Sequence, residues 1–377
     1  MRPSSVGANL DQVERSTRWP TEEERVAAAR IGRRPTRRTP SPSSISSNVR
    51  LPPARFRRFA QEATWYARPM CAQEVTVKLD THVHTAFSGY STIPMVSRLM
   101  RESYNAPRRV YECAKARGMD LVAITDHDVI DGALTIADRP DVIIGCEVTG
   151  VFPADGVRVH LLVLGISEAQ HREIQRLRHD VSELLPYLKQ ERIFVSLNHV
   201  ASRVNGRITG AHVSALIPWI DGLEIRNGSR LDTQNRTAAC VAAAHRKVGV
   251  GGSDSHTMRG IGRTWVEAPF ATSRQEFLDE LHAGRVRVGG RQGSVLTMAS
   301  DVVRMTSNIY HEHGRAFLER PHRWRRQVMA ASLVVGAPLI GVPLVLSALH
   351  FLLEARFNRS LLRDMSKHPE LRVPELA

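Results

Sequence analysis

Cysteine is scarce. The chain of 377 residues has 4 cysteines, Cys71, Cys113, Cys146 and Cys240. No two stand in a CxxC spacing, which argues against a cysteine-built zinc site. Four unclustered thiols in a chain this long fit a reducing compartment. Lysine is missing from residues 1–69, where 14 Arg face 6 acidic residues. This stretch, which includes "RIGRRPTRRTPSPSSISSNVRLPPARFRR", lacks any apolar period and reads as disordered. No apolar h-region follows its twin arginines, so it is not a secretory signal. Met70 stands directly ahead of the first strand-like run, and translation beginning there is a second account of the leader. Much of the net charge of +14 sits in that leader, so the basic total says little about the folded part. No recognisable nucleic-acid module follows the leader, which makes a polynucleotide an unlooked-for substrate.

Asp, Glu, Lys and Arg are all absent from residues 328–353, VMAASLVVGAPLIGVPLVLSALHFLL. A membrane span needs about 20 apolar residues. "HRWRRQ" precedes the run, and Arg356, Arg359 and Arg363 follow it. One shape is a single tilted helix kinked at Pro338 and Pro343. The other is a shallow hairpin turning at "GAPLIGVP", which basic flanks on both sides keep open. A buried helix of a soluble domain is the alternative. Residues 326–355 are therefore expected to be membrane-associated and residues 356–377 a basic tail. Residues 291–325 are expected to form a linker, with a helix near the membrane surface over 295–323.

What is present in abundance is alternation. Short apolar runs at 75–84, 121–127, 142–148, 159–166, 193–200, 222–227 and 248–256 predict strands. Helical patterns at 93–118, 168–190, 230–246 and 273–283 separate or follow them. Apolar runs of this length joined by amphipathic helices predict parallel strands with crossovers, and a β/α barrel is the economical architecture.

Histidine is plentiful, with 16 in the chain. "LDTHVHTAFSGYS" places Asp80, His82 and His84 on alternate positions of the first strand, hence on one face. Buried imidazoles without partners are costly, and a shared divalent cation is the usual partner. "AITDHDVIDG" puts Asp126, His127 and Asp128 at the end of the second strand. "GCEVTG" brings Glu147, "VRVHLLVLG" His160, "VSLNHV" His199, and "VGGSDSH" Asp254 and His256. Strand ends of a β/α barrel converge on one site, so six histidines and two carboxylates meet there. That is too many for one tetrahedral zinc and suits two or three divalent ions, with Zn, Mn or Fe open because no thiolate takes part. Such a site suits displacement at phosphorus. Glu224, Arg226 and Asn227 end the sixth strand, and Arg259 and Arg263 follow the last metal pair. Their guanidiniums are candidates for holding phosphate oxygens, with Arg158 and Arg203 weaker ones.

Together, "DTHVHTAFS", "AITDHD", "GCEVTG", "VHLLVLG", "SLNHV" and "GGSDSH" resemble the polymerase and histidinol phosphatase (PHP) superfamily over roughly residues 76–290. The resemblance implies a distorted seven-stranded β/α barrel over residues 70–290. It also implies two or three metals held by His82, His84, His127, Glu147, His160, His199, Asp254 and His256. One position departs from the pattern: many members carry Asp or His where this chain has Gly89. The expected activity is hydrolysis of a phosphomonoester or phosphodiester by metal-activated hydroxide attack at phosphorus. His199, Asp128, Arg226 and Arg259 are the expected catalytic residues, with His199 a proton donor and Asp126 and Asp128 orienting histidines or water. The expected partners are a small phosphoester, a nucleotide or a membrane-borne phosphate among them, and lipid through residues 328–353, with the catalytic domain on the cytoplasmic side. Two alternatives stand beside this: a catalytically silent, membrane-tethered binding module, and an amidohydrolase-type metal enzyme, which also begins with an HxH strand.

Overall fold

The computed structural model describes residues 76–90, 101–319 and 341–371. The leader expected over 1–69, residues 326–340 of the expected membrane segment and residues 372–377 lie outside the described residues.

Seven strands form where the apolar runs predict them: β1 Thr76–Asp80, β2 Leu121–Ile124, β3 Val142–Val151, β4 Arg158–Leu164, β5 Phe194–Leu197, β6 Gly222–Asn227 and β7 Val248–Gly252. Two more join them, β8 Thr264–Pro269 and β9 Arg287–Gly290. Among the described residues the sheet therefore has nine strands rather than seven, in the order β7-β6-β5-β4-β3-β2-β1-β8-β9. β8 runs antiparallel to β1, and β9 antiparallel to β8. "TWVEAP" follows β7 with no helix between them, and "RVGG" is a four-residue strand that is half glycine, which is why an alternation rule passes over them.

The expected parallelism also fails at one place. β4 is antiparallel to both β3 and β5. Only residues 152–157 separate β3 from β4, and a link that short can make a hairpin but not a parallel crossover of a dozen or more residues. The reversal has a consequence for the site. The start of β4, not its end, lies at the rim where the other strands finish. His160 is the third residue of β4, opposite Thr149 near the end of β3.

The sheet curls so that β7 returns to β1. Asp254 N donates to His82 O at 2.8 Å and His84 N to Ser255 O at 3.2 Å, and Val83 bridges Ser255 in parallel. The two backbones approach closely because Gly252 has no side chain: a Cβ there would stand 2.3 Å from His82 Cβ. One core cluster, including Leu79, Leu162, Phe194, Val250 and Phe277, fills the interior, and another, including Val110, Val122 and Ile261, lies beneath the helix that precedes β2.

The helices are α1 Pro107–Ala116, α2 Asp131–Leu134, α3 Glu168–Leu177, α4 Val181–Gln190, α5 Gly210–Leu216, α6 Asp232–Ala244, α7 Arg274–His282, α8 Val295–Glu319 and α9 Gly341–Met365. The single helix expected over 168–190 is two, because the Asp180 carboxylate accepts from Ser182 N at 2.8 Å and restarts the chain as an N-cap.

α9 bears on the second half of the expected membrane segment, residues 341–355, the first half lying outside the described residues. No helix among the described residues is long and apolar enough to cross a membrane. Residues 356–365, expected as the start of a basic tail, continue α9. Ser347, Phe351, Glu354, Asn358, Leu361 and Met365 are buried, a helical stripe laid against α5, α6 and α8. Polar latches fix it. The Glu354 carboxylate accepts from Arg203 N at 3.1 Å and Gln234 Nε2 at 2.7 Å. Asp364 accepts from Gly210 N at 2.8 Å.

Candidate metal centre

The rim collects all eight residues expected as ligands. His82 and His84 extend β1, and their Nε2 atoms stand 3.0 Å apart. Glu147, fully buried near the end of β3, is the hub. Its Oε2 is 3.1 Å from His82 Nε2, 3.3 Å from His84 Nε2 and 3.2 Å from His127 Nδ1. Its Oε1 is 3.0 Å from His199 Nε2 and 3.4 Å from His160 Nδ1. Asp254 Oδ1 lies 3.7 Å from His82 Nε2, 3.5 Å from His84 Nε2 and 3.6 Å from His256 Nδ1.

These atoms form four overlapping trios whose ligand atoms lie within 4.8 Å of one another: His82, Glu147 and His199; His82, His84 and Asp254; His127, Glu147 and His160; His84, His127 and His256. The donor set fits divalent cations. Glu147 Oε2 and His160 Nδ1 are buried yet have no hydrogen-bond partner. Buried polar atoms are almost always paired, so orphaned lone pairs crowded together call for a shared acceptor of electron pairs.

Charge follows the same geometry. Burial works against ionising His82, but Glu147, Glu224 and Asp254 overcome it and hold its pKa well above the ordinary value. Burial, reinforced by His84, His160 and His256, holds His127 well below it despite the Glu147 carboxylate. Burial would raise Glu147 and Asp254, yet His82 beside both, with Arg230 beside Asp254, keeps both well below the ordinary carboxylate range.

The other expected site residues divide. Glu224 supports the cluster: Oε1 is 2.9 Å from His82 Nδ1, and Oε2 accepts from His199 N at 3.0 Å and Asn227 Nδ2 at 2.8 Å. Asp126 accepts from Thr85 N, Thr85 Oγ1 and Ser88 Oγ, each at 2.6 Å. Ser88 Oγ in turn stands 3.1 Å from His84 Nδ1, so Asp126 orients that imidazole through Ser88. Asp80 shares the face of His82 but not its chemistry. Its carboxylate accepts from Ser253 N at 2.8 Å and Gly262 N at 2.7 Å, tying the last loop to β1.

Asp128 is not brought to the cluster. Its carboxylate accepts from Thr149 N at 2.7 Å and pairs with Arg178 at 3.3 Å. Arg226 donates to Gly290 O at 3.2 Å, so β6 directs it toward β9. Arg259 sits in a group with Arg117, Arg263 and Arg291; burial and then Arg117, Arg259 and Arg291 lower the pKa of Arg263. Arg158 is exposed.

Two contacting residues carry no strong sequence signal. Arg230 donates to Asp254 Oδ2 at 3.2 Å, but it stands beyond the strand end in "RNGSR". Asn198 donates to Glu147 Oε1 at 2.9 Å, and the histidine after it draws the eye.

A family profile described as PHP-associated matches residues 232–286, which run from α6 through α7. A stretch of 77 residues is 32% identical to an uncharacterized protein of Methanocaldococcus jannaschii, covering 19% of this chain and 44% of that protein. The chain thus spans less than half the length of that relative. Among solved structures, PsfC of Pseudomonas syringae is similar with a TM-score of 0.41 and 16% identity, over 63% of this chain and 98% of that one. The lesion-specific endonuclease EndoQ of Pyrococcus furiosus is similar with a TM-score of 0.39 and 17% identity, over 56% of this chain and 57% of that one. Likenesses at that level carry no argument about activity.

Proposed function

We propose that the chain, whose residues 232–286 match a PHP-associated profile, is a metal-dependent hydrolase of a phosphomonoester or phosphodiester. The observation that supports this most is the Glu147 hub: imidazole nitrogens of five histidines stand within 3.4 Å of its two oxygens. When bound, divalent cations supply Lewis acidity toward phosphoryl oxygens and lower the pKa of water. His82, His84, His127, Glu147, His160, His199, Asp254 and His256 are the residues to hold them.

The protein's own groups supply the rest. Glu224, Asn198 and Ser88 fix ring orientations, so the site is built before substrate arrives. Arg230 Nε is buried without a hydrogen-bond partner, and its guanidinium is the proposed contact for a phosphoryl oxygen beside Asp254. His199 is the proposed proton donor to the leaving oxygen in a state where it is not engaged as a metal ligand.

The test is metal content per full-length chain, measured with turnover of an aryl phosphomonoester and an aryl phosphodiester. Two or more ions per chain are expected, with turnover falling at least about 100-fold in His82→Ala and Asp254→Ala, a loss of about 2.7 kcal/mol of barrier lowering. The better substrate of the two assigns the ester class. A folded chain that takes up no metal and turns over neither ester overturns the reading in favour of a binding module.

A further inference from the structure

The trio His84, His127 and His256 differs from the other three in having no carboxylate of its own. His84 stacks between its two neighbours, with ring centroids 4.5 Å from His127 and 4.3 Å from His256. Three imidazoles leave a tetrahedral ion with one position unfilled, and Glu147 and Asp254, which border the trio, already belong to the other three trios. Position 89, after the turn that carries Ser88, cannot provide the missing group. Gly89 has φ 81° and ψ −146°, a backbone region open essentially to glycine alone.

The structure places a carboxylate beside the trio from another part of the chain. Glu102 N donates to Gly89 O at 3.0 Å, and the adjacent Arg101 bridges Tyr90. The segment after Glu102 is held just as firmly: Ser103 Oγ and Asn105 Nδ2 both donate to His84 O at 3.1 Å, and Ala86 N donates to Asn105 O at 2.9 Å. Glu102 Oε2 then stands 3.8 Å from His256 Nε2. Two ligand atoms of a tetrahedral ion at 2.0–2.1 Å lie about 3.4 Å apart. His256 is set up for this role. Its Nδ1 lies 3.2 Å from Asp254 O, and a proton donated there leaves the Nε2 lone pair facing Glu102.

We propose that Glu102 is a metal ligand of this chain, completing with His84, His127 and His256 a further cation position at the outer edge of the cluster and supplying the carboxylate that Gly89 does not. The inference rests on the metal-dependent reading above. A carboxylate in that place also gives the outermost ion a ligand on a segment separate from the strand ends. That ion is then the most weakly held of the set and the one whose occupancy a single substitution changes.

The test is Mn²⁺ binding to the full chain by equilibrium dialysis and titration calorimetry, for the wild type, Glu102→Gln, Glu102→Asp and the surface control Glu168→Gln. Glu102→Gln keeps the shape and removes the charge; Glu102→Asp keeps the charge and shortens the reach. The expected result is a weakest site whose affinity falls at least about ten-fold in Glu102→Gln, with the tighter ions retained. Retention of those ions shows that the variant is folded. Glu102→Asp should fall between Glu102→Gln and the wild type, and Glu168→Gln should match the wild type. Equal affinity and stoichiometry in the wild type and Glu102→Gln overturn the proposal and leave the metal-dependent reading standing. A folded wild-type chain that takes up no Mn²⁺ removes both.

Discussion

Asp128, His199 and Asp254, which end or follow strands at the rim, all have positive φ, at 57°, 29° and 48°. Left-handed backbone costs an ordinary residue about 1–2 kcal/mol. Asp tolerates it better than His does, so His199 holds an imidazole in place against a backbone preference. Its partners explain how: the main-chain N–H reaches Glu224 while Nε2 faces Glu147. Strain kept at a site whose surroundings over-determine it is a mark of function. It is also measurable. His199→Gly and His199→Ala both remove the imidazole, but only glycine relieves the backbone. His199→Gly should be more stable than His199→Ala by about 1 kcal/mol in urea unfolding, and equal midpoints would show that the strain is not real. Gly252 is the opposite case. Gly252→Ala drives a methyl into His82 and should cost about 1–3 kcal/mol as overpacking, with metal uptake reduced because β1 must shift.

At the scale of elements, α9 joins the C-terminal part of the chain to the loops of the site. Glu354 holds Arg203 N, four residues past His199, and Gln234 in α6. Glu354→Ala removes the acceptor of Arg203 N and leaves Gln234 Nε2 with Ala201 O alone, a cost of about 1 kcal/mol, and should show as faster amide exchange over both α9 and residues 199–205. The far end of the latch senses acid. Asp364 has its pKa lowered, chiefly by the N–H of Gly210. A depressed folded pKa means that the contribution is present above the unfolded value near 3.8 and is lost as pH falls through the folded one. Protection of α9 should therefore fall below about pH 4, and Asp364→Asn should flatten that dependence. β4 shows what was legible at this scale. Its residues read as a strand and His160 as a ligand, yet its direction lay in the length of the 152–157 link rather than in any residue.

For the molecule from Glu74 onward, which forms one compact unit, the C-terminal helix is part of the fold. A chain truncated before residue 341 loses the α9 stripe and its latches and uncovers the faces of α5 and α6 beneath them. It should unfold at lower temperature than the full chain, and an unchanged midpoint would show that α9 is dispensable. Metal contributes to stability by mass action. An ion at 100 times its dissociation constant adds about 2.7 kcal/mol, so exhaustive chelation should lower the melting temperature by several degrees, less in His82→Ala, which has already lost a ligand shared by two trios.

The sequence by itself determined the candidate ligand types and their order, because HxH, TDHD, SLNH and SDSH sit at the ends of apolar runs whose alternation places them on one rim. It likewise determined seven strands, through burial patterns short enough to read locally. Only the tertiary structure decided which of the neighbouring polar residues serve the cluster. Glu224 and Arg230 reach it while Asp128 and Arg226 turn away, since a side chain's partner across the barrel depends on strand direction and register. Glu102 shows the same limit: it lies 13 residues beyond Gly89, and the hydrogen bonds that pin residues 101–105 to residues 84–90 bring its carboxylate beside His256. The fate of the apolar run divides in the same way. Hydrophobicity alone suggested a membrane, but for residues 341–353 the burial of Ser347 and Phe351, in register with Glu354 and Asn358 further along α9, assigns that helical face to the protein's own surface, because the polar groups on it find partners there that a bilayer does not offer.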